Sequence, residues 1–451
     1  MNLYELQNKT ILLFGKSRAF SADEFNAQLK YHKINITKEY NDDVVLVVDG
    51  KMMTPYEQND SDKLYEEKID ATFVDIDVLE KELAKYIDAD TLMMSLKLSH
   101  DKDRLKDFLT NSMINDDLYL RLLKMYKWGG DNFFDNDDNR DISAALIVRF
   151  YQNIERNHNV QYAALGIMHL STQSDNEKVL EAIAYLEPIQ QTMLQDTNIA
   201  NNKIISAIAT NYATPKNILN MLIKNANSYI KTLIAMREDC DEEMQLKLVE
   251  SEEDDVLKAL SYNPNLSKSI VKKLLFNNPL AKNMAKNLRL NNELFEIFFK
   301  NHPNEVAKNE FISVEMQKKL VANSTQEVMM SLATNENIDK KVVVDLLGED
   351  YAELNLALYE NNATPQESLV EAYNSVLNHF SLANNENTPK HILELLAESE
   401  DAKVLKSLAK NPSTPIETLY QLQLDSRFER IVKENPNFGK HIMSENIGWE
   451  V

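Results

Sequence analysis

Leu382-Ala383-Asn384-Asn385-Glu386-Asn387-Thr388-Pro389 decides the fold of this chain, because the same stretch returns at near-constant spacing. Ile208-Ala-Thr-Asn211-Tyr-Ala-Thr-Pro215, Leu358-Tyr-Glu-Asn361-Asn-Ala-Thr-Pro365 and Leu408-Ala-Lys-Asn411-Pro-Ser-Thr-Pro415 are its other clear copies. Reduced copies begin at Asn263, Asn309 and Asn335. From Asn211 the anchors run 237 (an arginine), 263, 287, 309, 335, 361, 385, 411 and 435, a step of 22 to 26 residues. A fixed period in this range predicts a stack of helical repeats, each burying its apolar face only against its neighbours.

Within one repeat, Thr occupies the expected N-cap and Pro the first helical position, where its missing N–H costs nothing. Where Thr-Pro is absent, Ser267, Asn291, Ser313 and Asp339 are placed to cap one residue later. The helix that follows is apolar at helical spacing, as in Ile392, Leu393, Leu395 and Leu396. A second, shorter segment such as Val404 to Ala409 leads to the next Asn. That Asn is expected to turn the chain, bonding its own backbone and tolerating the left-handed region.

The alternation of a helix, a shorter helix and an Asn turn resembles the leucine-rich repeat variant family over roughly residues 195 to 440. The resemblance implies a curved right-handed solenoid of paired helices. Some members of that family hold an iron–sulfur centre on a cysteine cluster, whereas Cys240 is the single cysteine here. No such cluster can be ligated, and no cofactor is expected.

The first 88 residues read differently. Thr10-Ile-Leu-Leu-Phe-Gly15 is a short apolar strand, and Ser21-Ala-Asp-Glu24 a capping box before Phe25 and Leu29. Ile34 to Thr37 and Val44 to Val48 read as strands, Lys63 to Lys68 as a short helix, Thr72 to Ile76 as a strand, and Val78 to Tyr86 as a closing helix. The order β-α-β-β-α-β-α with a valine run predicts a small parallel sheet flanked by helices. In element order, over residues 8 to 87, the segment resembles a BRCT domain; the family's Trp in the closing helix is missing, with Val78 or Leu79 near its place. In phosphopeptide-binding members a hydroxyl residue before the first-loop Gly, that Gly's N–H and a Lys of the second helix hold the phosphate. Gly15 and Lys63 match; Phe14 replaces the hydroxyl residue, with Ser17 or Lys16 as its substitute.

The fold is therefore expected to be mainly α: a BRCT-like α/β domain over 1–88, a helical connecting region over 89–195, and repeats over 196–451. Asn111-Ser-Met-Ile-Asn-Asp-Asp-Leu118 fits the repeat template, so repeats are expected to begin near 103. An acidic loop near 129–141 interrupts them, with helices expected at about 142–156, 160–170 and 176–194. Asp135, Asp137, Asn139 and Asp141 alternate as calcium-loop ligands do, but Arg140 and Leu146 stand where that loop needs Gly and Glu. A solvated acidic loop, or a contact for a basic partner, is the better reading.

Little else points to chemistry. His32, His100, His158, His169, His302, His379, His391 and His441 are scattered singly, without the i, i+3 or i, i+4 spacing of a helical zinc site. Asp239 and Asp241 flank Cys240, and carboxylates raise a thiol pKa, so an inert cysteine is expected. Glu252-Glu253-Asp254-Asp255 reads as a solvated face. No phosphate-cradling Gly loop or Gly-x-Ser-x-Gly elbow occurs. One cysteine fits a reducing compartment, and no apolar run matches a membrane span, so a cytoplasmic location is expected.

The net charge of −22 disfavours wrapping of a bare phosphate backbone by the molecule as a whole. Three classes compete: a non-enzymatic protein-interaction scaffold, a DNA-repair or DNA-processing component, and a helical-repeat enzyme such as a base-excision glycosylase. The last two call for a basic concave channel, whereas polar positions of the repeats mix signs, as Lys272-Lys273 against Glu394 and Glu398. The scaffold is the expected function, with a basic protein as partner.

Overall fold

A computed structural model describes residues 2–129, 132–151, 160, 163–195, 198–323, 325–349 and 351–446. The end of the helix expected at 142–156, the start of the one expected at 160–170, part of the acidic loop and His158 lie outside the described residues. The protein is mainly α-helical with a small α/β region at its N-terminus. It divides into two compact units, Met1–Ile234 and Ala235–Val451, described separately below.

In the first unit, strands β1 (Thr10–Phe14), β2 (Asn35–Thr37), β3 (Val44–Asp49) and β4 (Thr72–Asp75) form one parallel sheet in the order β2-β1-β3-β4. Ile11, Leu12, Val47 and Val48 are fully buried, as a parallel sheet covered on both faces requires. Helix α1 (Ala22–Tyr31) starts at the expected cap, with Ser21 Oγ accepting from the Glu24 N–H. Helix α2 (Pro55–Glu66) is longer than expected. Thr54 and Glu57 form a reciprocal capping box with Pro55 beside the cap, and this box moves the start upstream of Lys63. Helix α3 (Ile76–Lys85) closes the domain with Ile76, Leu79 and Leu83 on its buried face.

Helices α4 (Ala89–Ser99), α5 (Lys102–Thr110), α6 (Asp116–Leu123) and α7 (Asp137–Phe150) follow. The turn from α5 to α6 has the repeat's local geometry: Asn111 Oδ1 accepts the Met113 N–H at 2.8 Å. Arg149 on α7 clamps this turn, donating to the carbonyls of Asn111 at 2.7 Å and Ile114 at 2.8 Å.

The second unit is built from paired helices, and the expected starts near Ser267, Asp339, Pro365, Pro389 and Pro415 correspond to helices Lys268–Leu274, Lys340–Leu347, Gln366–Ala372, Lys390–Leu396 and Ile416–Gln423. The capping chemistry differs from expectation. Pro389 and Pro415 themselves occupy the N-cap in an extended conformation, at φ −55° and −57°. The Thr hydroxyls instead donate backwards: Thr388 to Leu382 O at 2.8 Å and Thr414 to Leu408 O at 2.7 Å. Each adds a second donor to a carbonyl in the last turn of the preceding helix, which also accepts the N–H of the anchor asparagine.

The anchor asparagines also do more than turn the chain. Asn361, Asn385 and Asn411 have φ of −80°, −83° and −65°, extended rather than left-handed. Each side-chain oxygen accepts the N–H two residues on, as Asn385 does from Asn387 at 2.7 Å. The amide hydrogens reach into the previous repeat. Asn385 Nδ2 donates to Tyr359 O and to Asn361 O, both at 2.8 Å, and Asn411 Nδ2 to Ala383 O and Asn385 O at 2.9 and 3.0 Å. Asn263, Asn309, Asn335, Asn361 and Asn435 make the same pair of bonds. The result is a ladder of buried side-chain amides that fixes the register of successive turns. In the first unit, Asn211 likewise reaches Ser171 O and Ser174 O at 2.8 and 2.9 Å.

Two anchor positions differ in their contacts. Asn287 turns its amide to Asn283 O within its own helix, and the Arg289 N–H bridges to Pro264 O at 3.0 Å. At the remaining one, the buried Arg237 guanidinium is held by both carboxylate oxygens of Asp239 at 2.7 Å.

Candidate functional site

The loop after β1 carries the phosphate-site candidates. Gly15 sits at φ +66° with its α-carbon hard against the β3 exit loop, where an added Cβ would lie 2.6 Å from Lys51 O. Reciprocal backbone bonds of 2.8 Å between Lys16 and Lys51 zip the two exit loops together. The Gly15 N–H, the group a phosphate would need, donates to Glu57 Oε1 at 3.0 Å. Backbone N–H groups, that of Thr54 before that of Gly15, hold the Glu57 carboxyl below the usual carboxylate range. Ser17 donates its hydroxyl to Phe20 O at 2.9 Å, and the exposed Lys63 pairs with Asp60 on its own helix at 3.6 Å. Gly15, Ser17 and Lys63 are thus each engaged within the protein and do not converge on a common point through these contacts.

A second carboxylate, which sequence reading missed, organises the rest of the loop. Glu80 on α3 is completely buried, and its oxygens accept the N–H groups of Arg18 at 2.9 Å, Ala19 at 3.0 Å and Phe20 at 3.4 Å. Burial pushes its pKa up against these donors, and the charge of Asp77 adds to the rise. A glutamate in the apolar register of an amphipathic helix, one turn after Ile76, is the sequence signal that would have found it.

The acidic loop is pinned by Asn139, also completely buried. Its amide donates to Gly129 O at 2.7 Å and Asn132 O at 3.0 Å, and its oxygen accepts from Tyr126 OH at 3.0 Å. Asp137 and Asp138 lie in the first turn of α7, where the helix dipole favours negative charge. Lys106 bridges Asp138 at 2.5 Å and Asp141 at 2.8 Å. Asn139 therefore has both polar atoms committed to protein groups. Among the described residues, no group of three or more His, Cys, Asp or Glu is placed to hold a metal ion.

Asp254 and Asp255 of the acidic quartet likewise fall in the first turn of a helix, Asp254–Ser261. Cys240 is buried, and burial, then the charges of Asp241 and Asp239, push its thiol up to about 12. Native protein is therefore expected to react with a thiol-labelling reagent at neutral pH only as fast as it opens. Denaturant should convert this slow reaction into a rapid stoichiometric one, and rapid labelling of the native chain would contradict the burial.

Sequence reading also missed two buried glutamines in repeats that lack Thr-Pro. Gln245 donates to Cys240 O at 2.7 Å and Asn265 O at 3.1 Å while accepting the Ser267 N–H at 2.9 Å. Gln317 repeats the pattern on Asn337 O at 3.0 Å and the Asp339 N–H at 2.8 Å. Ser267 makes no side-chain cap bond of its own, its hydroxyl instead lying 3.0 Å from that of Ser269, whereas Asp339 caps its helix at the Lys341 N–H. Ladder asparagines, threonines and glutamines are thus all consumed internally, and the residues left for contact are those on the exposed helix faces. Among the described residues, no helix is long and apolar enough to cross a membrane. Comparison of the chain with protein-family models, with curated proteins and with solved structures returns no match.

Proposed function

We propose that this chain is a non-enzymatic scaffold, a BRCT-like α/β module followed by a solenoid of repeats similar to leucine-rich repeat variants. The observation that supports this reading is the division of labour within a repeat. In the second unit the recurring asparagines, Asn287 apart, are committed to the inter-turn ladder, while exposed helix positions change from repeat to repeat. Recognition by a repeat protein works in this way, with a fixed frame presenting variable side chains. The α/β module supplies a second contact, and two weak contacts on one chain gain from effective concentration. The net charge of −22 favours a protein partner carrying basic groups over free nucleic acid.

The test is retention of proteins from a cell extract by the immobilised chain near physiological salt, beside duplex and single-stranded DNA. Specific proteins should be retained and should weaken as salt shortens the screening length. Tight, salt-sensitive DNA binding with no protein retained would replace the scaffold with the DNA-processing reading.

A further inference from the structure

The ladder fixes register, so side chains at equal offsets from successive asparagines stack into columns along the second unit. Between helices Lys268–Leu274 and Ile416–Gln423 there are six helix-to-helix steps, through Asn292–Asn301, Val314–Asn323, Lys340–Leu347, Gln366–Ala372 and Lys390–Leu396. One column, nine residues after each anchor, runs Lys272, Glu296, Lys318, Val344, Val370, Glu394 and Tyr420, with Leu395 next to Glu394. Its lysines lie towards one end and its apolar side chains towards the other, with a glutamate in each half.

In the cationic half, Lys268 and Lys319 are neutralised by Glu293 and Glu296 of the helix between them. Lys272, Lys273, Lys318, Lys340 and Lys341 are exposed and make no ion pair among the described residues, although Lys272 lies within the field of Glu293 and Lys318 within that of Glu315. Unpaired cations gathered on one face are unexpected in a chain of net charge −22. In the other half, Val344, Val370, Leu395 and Tyr420 are 51%, 39%, 42% and 40% exposed on four consecutive helices of this set. Asp345, Glu371 and Glu394 flank them and are themselves exposed.

We propose that this helix face binds an extended protein segment that is acidic at one end and apolar at the other. The inference rests on the scaffold reading and names the partner chemistry for one face of it. The charge pattern selects both occupant and direction. Carboxylates of the segment lie over the free lysines, and its apolar side chains cover Val344, Val370, Leu395 and Tyr420. Reversed, the acidic end would face Asp345, Glu371 and Glu394. A phosphodiester strand is anionic throughout and would run from the lysines onto those same carboxylates, so a peptide fits where nucleic acid does not. With helices about 8–10 Å apart the face runs roughly 50–60 Å. About 16 residues in extended conformation span that length at ~3.3 Å each.

The experiment is selection of 16-residue peptides from a random display library on the full chain, the length following from the span just given. The selected pool should be enriched in sequences with Asp and Glu in one half and Leu, Phe or Val in the other. Individual peptides should bind at least tenfold more weakly to a Lys272→Glu/Lys273→Glu/Lys318→Glu variant whose thermal unfolding matches the parent. A Leu395→Ser/Tyr420→Ser variant should weaken them as well. A basic pool, an unenriched pool, or peptides indifferent to the lysine variant would overturn the proposal. Duplex DNA that binds the parent more tightly than any peptide and is lost in the lysine variant would also overturn it. Extract proteins retained equally by parent and lysine variant would leave the scaffold standing and remove this face from it. Retention by neither would sink the scaffold reading itself.

Discussion

Asn385→Ala is expected to destabilise the second unit by about 2–4 kcal/mol, beyond what loss of a local turn bond would cost. The side chain makes three bonds: its amide to Tyr359 O and Asn361 O, and its oxygen to the Asn387 N–H. Asn385 is completely buried, so truncation strands Tyr359 O and the Asn387 N–H, while Asn361 O keeps the Thr364 N–H at 3.0 Å. Each stranded group costs about 1–3 kcal/mol, and partial relaxation brings the sum below the arithmetic maximum. The neighbouring Asn384 is exposed, and Asn384→Ala should stay within about 0.5 kcal/mol of the parent. Denaturant midpoints of the two variants make the comparison. Equal midpoints would remove the ladder from the list of forces that hold the repeats together.

Asn385→Asp sharpens the argument. The introduced group is nearly isosteric, but it presents an acceptor where two carbonyl oxygens need donors. Its ionised form is disfavoured in the folded state, so the folded pKa rises above the unfolded one. The penalty is fully present above the folded pKa and is relieved as pH falls towards the unfolded value. This variant should therefore gain stability relative to the parent on acidification, and a loss would argue that the carboxylate finds donors.

The period was legible in the sequence because a stack must place the same residue at the same point of every turn. What the asparagine does there was not legible, since its acceptors lie a whole repeat away in the chain: Asn385 bonds Asn361, and Asn411 bonds Asn385. Local rules assign such a residue to a left-handed turn, but the observed φ values of −83° and −65° leave the side chain free to span two turns. The threonine before proline misled for a related reason. Its hydroxyl has a donor hydrogen as well as lone pairs, and a carbonyl in the last turn of the preceding helix can take a second donor, as at Leu408. The small parallel sheet followed from the order of elements and a buried valine run, whereas its strand order β2-β1-β3-β4 came only with the structure. The start of α2 did not, because Thr54-Pro55-Tyr56-Glu57 precedes a helix whose polar composition hides its period. In the phosphate candidate, Gly15 was found for the right backbone reason, yet its N–H was already taken by a glutamate 42 residues away.

Glu80→Ala should destabilise the sheet domain by about 2–4 kcal/mol. The carboxylate gathers the N–H groups of Arg18, Ala19 and Phe20, and of these the Phe20 bond is buried and the other two partly so. Glu80→Gln keeps one acceptor oxygen in nearly the same volume and should lose about half as much. The pH dependence then separates the two forces on this group. Burial alone raises its pKa, the three donors alone would lower it, and the net direction is upward. With the folded pKa above the unfolded one, the native state binds the proton more tightly, so the parent gains stability as pH falls between those two values. The Gln side chain does not titrate, so the parent's advantage over Glu80→Gln should widen on acidification and then level off. Paired unfolding curves at a series of pH values measure the difference directly. A gap that closes towards acid would mean that the loop's N–H groups outweigh desolvation, and Glu80 would then be an anchored anion rather than a strained one.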